Sequence, residues 1–269
     1  MAASAAHPID SSGPAGELSI TWLGHATVLV EIDGVRLLTD PVLRHRIGPL
    51  TRIAPSMSPQ DVGAVDCVLI SHLHADHADL GTLRAITRCG PILGPPAARE
   101  WLIAKGFRDV RELHAGQQAV VKGVQVKATQ AIHDGRRRPY GPLADAIGFL
   151  ISGSRTVYFA GDTDLFSAMA GLSGVDVALL PVWGWGPRLG PGHLDPERAA
   201  VATAIIAPAI AIPIHWGTLT LRLPALRPND QIRPAREFAA LTKRYAPAVD
   251  VRVLTPGQRT VVPATRFAG

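Results

Sequence analysis

Between residues 66 and 80 the sequence reads DCVLISHLHADHADL, which puts His72, His74, Asp76 and His77 within six consecutive positions directly after an apolar run. Imidazole and carboxylate together are the donors that zinc and its borderline neighbours accept. His72 and His74, two apart on an extended segment, point the same way, and Asp76 and His77 follow as the chain turns. A lone histidine is usually a hydrogen-bonded polar side chain with no further role. Four potential ligands in six residues are hard to explain in that way. Three more candidates stand elsewhere: His133 after VQVKATQAI, Asp162 in YFAGDTD, and His215 closing AIAIPIH. Each comes at the end of an apolar, strand-like segment, where a site at one rim of packed sheets needs its ligands. The seven side chains are enough for two metals that share one carboxylate and one water.

The surrounding pattern predicts the elements that position them. LSITWLG, TVLVEID and VRLLTD read as three short strands, with Asp33-Gly34 as a hairpin signal. Residues 41–63, rich in Pro, Ser and Arg, read as a long loop. DCVLIS is a buried strand, ADLGTLRAIT a helix with Asp79 near its start, PILG a short strand, and PPAAREWLIAKG a helix that stops at Gly106. VRELH, QAVV and VQVKAT continue as strands. AIGFLIS and TVYFAGD form a hairpin around SGSR, DLFSAMAGL is a helix, and VDVALLPV a buried strand. DPERAAVATAII is a helix capped by Asp195 with Pro196 in its first position. AIAIPIH is a strand, RPAREFAALTKRYA a helix, and VDVRVLTPGQRTVV closes with two strands. Hairpins opening both halves, with apolar strands next to helices, imply an α/β architecture of two mixed sheets packed face to face with helices outside. Residues 1–17 read as a flexible lead and 18–269 as one domain, the halves sharing a core.

Composition narrows the function classes. The formal net charge of +5 and the pI of about 9.7 favour anionic ligands. No helix-turn-helix or RNA-binding signature appears, so nucleic acid is not an expected partner. The run Arg136-Arg137-Arg138 reads as a solvated loop in preference to a substrate-anion site. Two cysteines, Cys67 and Cys89, do not make a disulfide scaffold and suit a reducing compartment, and the N-terminal residues lack the pattern of a signal peptide, so a cytoplasmic location is expected. The longest apolar stretch, residues 199–214, is too short for a membrane span and is broken by Pro208 and Pro213. The sequence leaves homo-oligomerisation open.

HLHADH fits the H-x-H-x-D-H signature of the metallo-β-lactamase superfamily. TWLGHATVLVEIDGVRLLTDP, VDCVLISHLHADH, VYFAGDTD, HLDPERAA and PIHWGT resemble one branch of it, which contains the N-acyl-phosphatidylethanolamine-hydrolysing phospholipase D and the ascorbate-6-phosphate lactonase, with closer likeness to the phospholipase. These blocks span about Ile20 to Thr218. The resemblance implies the four-layer αββα sandwich. It also implies that His72, His74 and His133 hold one divalent metal, that Asp76, His77 and His215 hold the second, and that Asp162 bridges them. Zinc is the first expectation, with manganese or iron as alternatives. His193 matches a histidine that lies beside the metals and helps bind or protonate substrate. Asp40 is expected to partner a ligand imidazole and fix its orientation. His25, in WLGHAT, either lines the pocket or stabilises a turn. Trp183 and Trp185, flanking a Gly beside His193, are candidates for substrate contact. His45 and His114 read as surface residues, and His7 lies in the lead.

The implied chemistry is hydrolysis by a hydroxide shared between two metals, which stand about 3.5–4 Å apart in such sites and lower the pKa of bound water to roughly 7. Asp76 would orient that nucleophile and accept its proton, and His193 would assist the leaving group. A phosphodiester, small or lipid-like and anionic, is the first substrate expectation. A lactone or other ester is the second. A non-hydrolytic metal-binding or redox role ranks last, because the ligand set is complete and no flavodoxin-like segment is present.

Overall fold

The computed structural model describes residues 16–86, 89–137, 141–186, 188–221 and 231–263. The first half runs through β1 (Leu18–Gly24), β2 (Thr27–Ile32), β3 (Val35–Thr39), β4 (Arg46–Ile47), β5 (Leu50–Arg52), α1 (Pro59–Val62), β6 (Cys67–Leu69), α2 (Leu80–Ala85), β7 (Ile92–Gly94), α3 (Pro96–Ala104) and β8 (Val110–Glu112). The second half continues with β9 (Gln118–Val121), β10 (Val124–Asp134), β11 (Asp145–Ser152), β12 (Thr156–Phe159), a 3₁₀ turn (Ser167–Leu172), β13 (Val177–Pro181), α4 (Pro196–Ile206), β14 (Ile210–Ile214), β15 (Leu219–Leu221), α5 (Arg233–Tyr245), β16 (Asp250–Val251) and β17 (Arg259–Val262).

Two seven-stranded sheets form, in the orders β17-β1-β2-β3-β6-β7-β8 and β16-β14-β13-β12-β11-β10-β9. Each is antiparallel on one side and parallel on the other, so both are mixed as the hairpins and buried runs predicted. VALLP of β13 and IAIPI of β14 are buried at every position, because a parallel strand is covered on both faces. One apolar cluster joins Ile20, Val28 and Leu37 of the first sheet to Val126, Phe149 and Leu179 of the second, and extends to Ala199 of α4 and Phe238 of α5. A second cluster packs Leu83 of α2 and Ala98 and Leu102 of α3 on Val68 and Ile70 at the other outer face. The result is the αββα sandwich. Burial of each such Leu, Ile or Val contributes roughly 1.5–3 kcal/mol, and the rigid sheets give the loops at their rim fixed ends.

Three local expectations are corrected. Residues 41–63 are not one loop: β4 and β5 form a hairpin whose β5 pairs antiparallel with β15 in a small third sheet, and α1 follows with Ser58 and Asp61 forming a capping box. The segment DLFSAMAGL forms only the 3₁₀ turn Ser167–Leu172, which has no side-chain cap. Arg137 is not a solvated loop residue. Its guanidinium lies 4.3 Å from the Trp101 ring centroid and donates to the carbonyls of Leu73 (3.0 Å) and Ala78 (2.9 Å), clasping both ends of the loop that carries His74, Asp76 and His77. Arg136 is exposed, and Arg138 and His7 lie outside the described residues. His45 and His114 are exposed and both cysteines are free. Among the described residues, no helix is long and apolar enough to cross a membrane.

Asp79 caps α2, accepting from Thr82 N (2.9 Å) and Thr82 Oγ1 (2.7 Å) as well as from Arg44 Nε (2.8 Å) and Nη2 (2.7 Å). Burial raises its pKa, but the bonds from Arg44 and Thr82 outweigh that and hold the carboxyl below its ordinary value. Asp79→Ala is therefore expected to cost about 2 kcal/mol in a denaturant melt, a cap plus a charge-assisted bond. Because the folded pKa is the lower one, this stabilisation is full above the unfolded carboxyl's pKa, roughly 4, and is lost as pH falls through the folded value. Equal stability of mutant and parent at pH 7 would contradict the assignment.

Candidate metal centre

The ligand candidates converge because their strands end at the same rim. The loop after β6 carries His72, His74, Asp76 and His77. Asp40 follows β3, Asp162 follows β12, and His215 follows β14. His133 stands inside the end of β10, where the register with β11 shifts between Gln130 and Asp134. Such a bulge re-aims a side chain, and here it turns the imidazole to the rim. His25, Asp40 and His215 all take positive φ values (54°, 33° and 65°), which non-glycine residues adopt rarely and mostly where surroundings enforce it. The surroundings do so: Asp40 N donates to Leu69 O (2.8 Å), His215 N to His25 O (2.9 Å), and His25 N to Thr218 Oγ1 (2.7 Å). Gly24, at φ 108°, allows the approach of Thr218, since a Cβ there would stand 2.8 Å from Thr218 Cγ2.

Hydrogen bonds settle which nitrogen each imidazole presents. A carbonyl only accepts, so His133 Nδ1 must donate to Gly192 O (2.8 Å) and His215 Nδ1 to Trp183 O (2.6 Å). His77 Nδ1 donates to Asp40 Oδ2 (2.7 Å). Ser71 Oγ donates to the same Oδ2 (2.6 Å) and so accepts from His72 Nδ1 (2.9 Å). Ser71 N completes the support of Asp40 at Oδ1 (2.7 Å). Four Nε2 atoms thereby turn toward the rim with free lone pairs in the neutral rings, and His74 adds its Nδ1.

These atoms crowd together. His72 Nε2 is 3.0 Å and His133 Nε2 3.2 Å from His74 Nδ1, and His77 Nε2 is 3.0 Å from His215 Nε2. Asp162 lies between the two groups, its Oδ2 at 3.2 Å from His77 Nε2 and 4.0 Å from His72 Nε2, its Oδ1 at 3.2 Å from His215 Nε2. Asp76 Oδ2 stands 3.8 Å from His77 Nε2 and 3.9 Å from His215 Nε2. Four donors about 2.0–2.1 Å from a tetrahedral metal would be separated by roughly 3.3–3.4 Å, close to these spacings. Lone pairs facing one another at 3.0 Å repel unless a cation lies between them. Asp162 Oδ1 is buried without a hydrogen-bond partner. The donor set therefore suits divalent metal, and its atoms fall into two groups, His72, His74 and His133 on one side of Asp162 and Asp76, His77 and His215 on the other.

Protonation agrees with that fit at every ligand candidate except His77. Burial pushes His72 and His215 well below the usual histidine value, and His74 down to about 4. Burial lowers His133 as well. For Asp162 burial acts upward, but His215, His77 and His193 hold the carboxyl well below its ordinary range. For Asp76 burial is likewise outweighed, first by the bond from His25. His77 alone among the ligand candidates is raised well above normal: Asp162 and Asp40 overcome its burial. Metal at this group must displace its proton.

His193 is partly exposed, with Nε2 3.5 Å from Asp162 Oδ2. Its Nδ1 faces the carbonyls of Gly190 (3.1 Å) and Pro191 (3.2 Å), so Nε2 is the atom presented to the site. Burial lowers its pKa and Asp162 more than restores it, so the value is raised. Above the centre opens a cavity of about 630 Å³, with His74, Asp76, Asp162, His193 and His215 in its floor. Its walls come from the β4–β5 hairpin (Ile47, Pro49, Leu50) and the loop after β13 (Trp185, Arg188, Leu189). Trp185 thus faces the cavity. Trp183 instead packs against the core, donates from Nε1 to Gly186 O (3.1 Å) and offers the carbonyl that fixes His215. His25 is fully buried behind Asp76, outside the cavity wall. Sequence reasoning missed the hairpin wall, Arg188 and the Arg137 clasp. None carries a local motif, and the hairpin and the clasp each depend on a distant segment.

The family described as the beta-lactamase superfamily domain matches residues 35–216. A metal-dependent hydrolase of Methanopyrus kandleri is 32% identical over 250 residues, covering 90% of this chain and 98% of its own. An N-acyl-phosphatidylethanolamine-hydrolyzing phospholipase D of Caenorhabditis elegans is 31% identical over 249 residues, covering 80% of this chain and 69% of its own. The solved structure of the metallo hydrolase Igni18 from Ignicoccus hospitalis superimposes with a TM-score of 0.71 at 26% identity, over 92% of this chain and 99% of that one. With the histidine-aspartate rim and the two mixed sheets that carry it, these likenesses show that the chain belongs to the beta-lactamase superfamily domain family, among its metal-dependent hydrolases.

Proposed function

We propose that the chain is a two-metal hydrolase of phosphodiesters that carry an apolar group. The observation that supports this most strongly is the convergence of five imidazole nitrogens on Asp162 and Asp76 in the floor of an apolar-walled cavity. His72, His74 and His133 would hold one metal, Asp76, His77 and His215 the other, and Asp162 both, with zinc the first expectation and manganese or iron the alternatives. When bound, such metals supply a water nucleophile at neutral pH and Lewis-acid stabilisation of developing charge. The protein's own groups do the rest. Asp76 orients the attacking water and takes its proton. His193, with a raised pKa and Nε2 aimed at the site, donates a proton to the leaving oxygen. Asp40 and the carbonyls of Trp183 and Gly192 keep the imidazoles in one tautomer. Ile47, Leu50, Trp185 and Leu189 exclude water and receive the apolar group.

The name of the nematode relative, a phospholipase D, and the basic pI support a phosphodiester. Lactone or ester hydrolysis is the second reading. It is favoured by the cavity wall, where Arg188 is the sole Arg or Lys among the described lining residues. The two are separated by kcat/KM on a panel of p-nitrophenyl alkyl phosphodiesters, aryl esters and γ-lactones. The expected result is preference for the diesters, increasing with alkyl length. Trp185→Ala is expected to raise KM for the longer diesters about tenfold, the loss of part of a large apolar contact, with kcat little changed. A lactone preferred over every diester would shift the assignment to the second reading, and an unchanged Trp185→Ala would remove that side chain from substrate binding.

A further inference from the structure

His25 stands beside the metal centre but neither faces the cavity nor belongs to the ligand set above. Its ring is fully buried. Nε2 stands 2.9 Å from Asp76 Oδ2, while Nδ1 is buried with no partner. A carboxylate only accepts, so Nε2 carries the proton and Nδ1 a bare lone pair, the cheaper atom to leave unpaired in a buried place. The ring also lies against His215, centroids 3.8 Å apart and planes 34° apart. The His25 carbonyl accepts from His215 N (2.9 Å) and from Trp22 Nε1 (2.9 Å). His25 therefore grips Asp76 and His215, two of the three side chains private to one metal group. The grip is itself braced: Thr218 Oγ1 takes the His25 amide, and Arg52, buried and bonded to the carbonyls of Leu23, Val42 and Pro55, locks the preceding turn. No bond or ring contact joins His25 to His74 or His133 in the other group.

We propose that His25 is a positioning residue for one metal only: by fixing the Asp76 carboxylate and the His215 ring it sets the affinity of the Asp76–His77–His215 group and leaves the His72–His74–His133 group untouched. The proposal rests on the two-metal reading above. It also explains a strained conformation. At φ 54° a glycine would serve the turn better, and histidine stands there because its Nε2 reaches Asp76. Loss of a partner that orients a ligand typically costs 10–100-fold in metal affinity, and the loss here should fall on a single site.

The test is zinc binding to the full-length protein by chelator competition, with cobalt absorption as a second readout of each site's geometry. Three variants separate positioning from mere structure. His25→Ala removes the ring, His25→Asn keeps a residue that tolerates positive φ but is too short to reach Asp76, and His25→Gln places an amide donor near the former Nε2. The expected result is two zinc steps in the parent, with one of them weakened about 10–100-fold in the Ala and Asn variants and largely restored in Gln. The cobalt spectrum of the other site should be unchanged. Two parental steps in the Ala variant overturn the proposal, as does equal weakening of both steps or a Gln variant no better than Asn. A parent that takes up a single zinc overturns the two-metal reading itself, and the proposal with it.

Discussion

Asp162→Asn is expected to abolish hydrolysis, by about 10⁴-fold or more in kcat/KM, the scale for a residue whose partners act as one unit. Asp162 lies between the two imidazole groups, at 3.2 Å from His77 and His215 and 4.0 Å from His72. Asparagine keeps the shape but removes the charge. On the two-metal reading, five buried or half-buried imidazoles would then face two cations with the Asp76 carboxylate alone in the cavity floor. Both metals should therefore be lost or bound far more weakly, in contrast to the single-site effect expected at His25. The fold should survive, because the two sheets are held by apolar clusters that do not include Asp162. Circular dichroism matching the parent, with metal content near zero after dialysis, is the predicted pair of results. A variant that keeps two metals and more than a hundredth of the activity would contradict the bridging assignment.

His193→Ala is expected to do the opposite: metal content unchanged and kcat lower by about 10²–10³-fold, within the range of a lost general acid. The ring lies beside Asp162 but its carbonyl partners, Gly190 and Pro191, belong to its own loop, so its removal leaves the ligand set standing. The pH profile checks the role independently. The pKa of His193 is raised, its burial being outweighed by Asp162. Its acid form is thus present below that raised value and disappears as pH climbs through it. Parent activity on a diester with a poor leaving group should decline along that limb, and the variant should lack the limb. A diester with a good leaving group, which needs no proton, should be much less affected by the substitution. Loss of a metal in the variant would make His193 a ligand instead.

The meeting of the candidate ligands at one rim was legible because their positions are set by local pattern. His72 to His77 follow a buried strand, Asp162 and His215 end others, and strand ends are visible as apolar runs that stop. The helix starts at Asp79 and Asp195 were legible for the same reason, since a cap acts within one turn. The walls of the cavity were not. β4 and β5 are two and three residues long, and β5 holds its place by pairing with Leu219–Leu221. No periodicity can form in so short a strand, and its partner lies far off in the chain. Arg137 looked like one member of a basic run, but Trp101 and the carbonyls of Leu73 and Ala78, which determine its place, come from elsewhere. His25 left two readings open for the same reason: its partner Asp76 is 51 residues away.

The most direct test of the central claim is metal content by mass spectrometry on the purified protein, paired with hydrolysis of bis(p-nitrophenyl) phosphate before and after chelation. The prediction is about two metals per chain, with turnover that disappears on chelation and returns with zinc or manganese. A protein that binds no metal even when these ions are supplied would contradict the account.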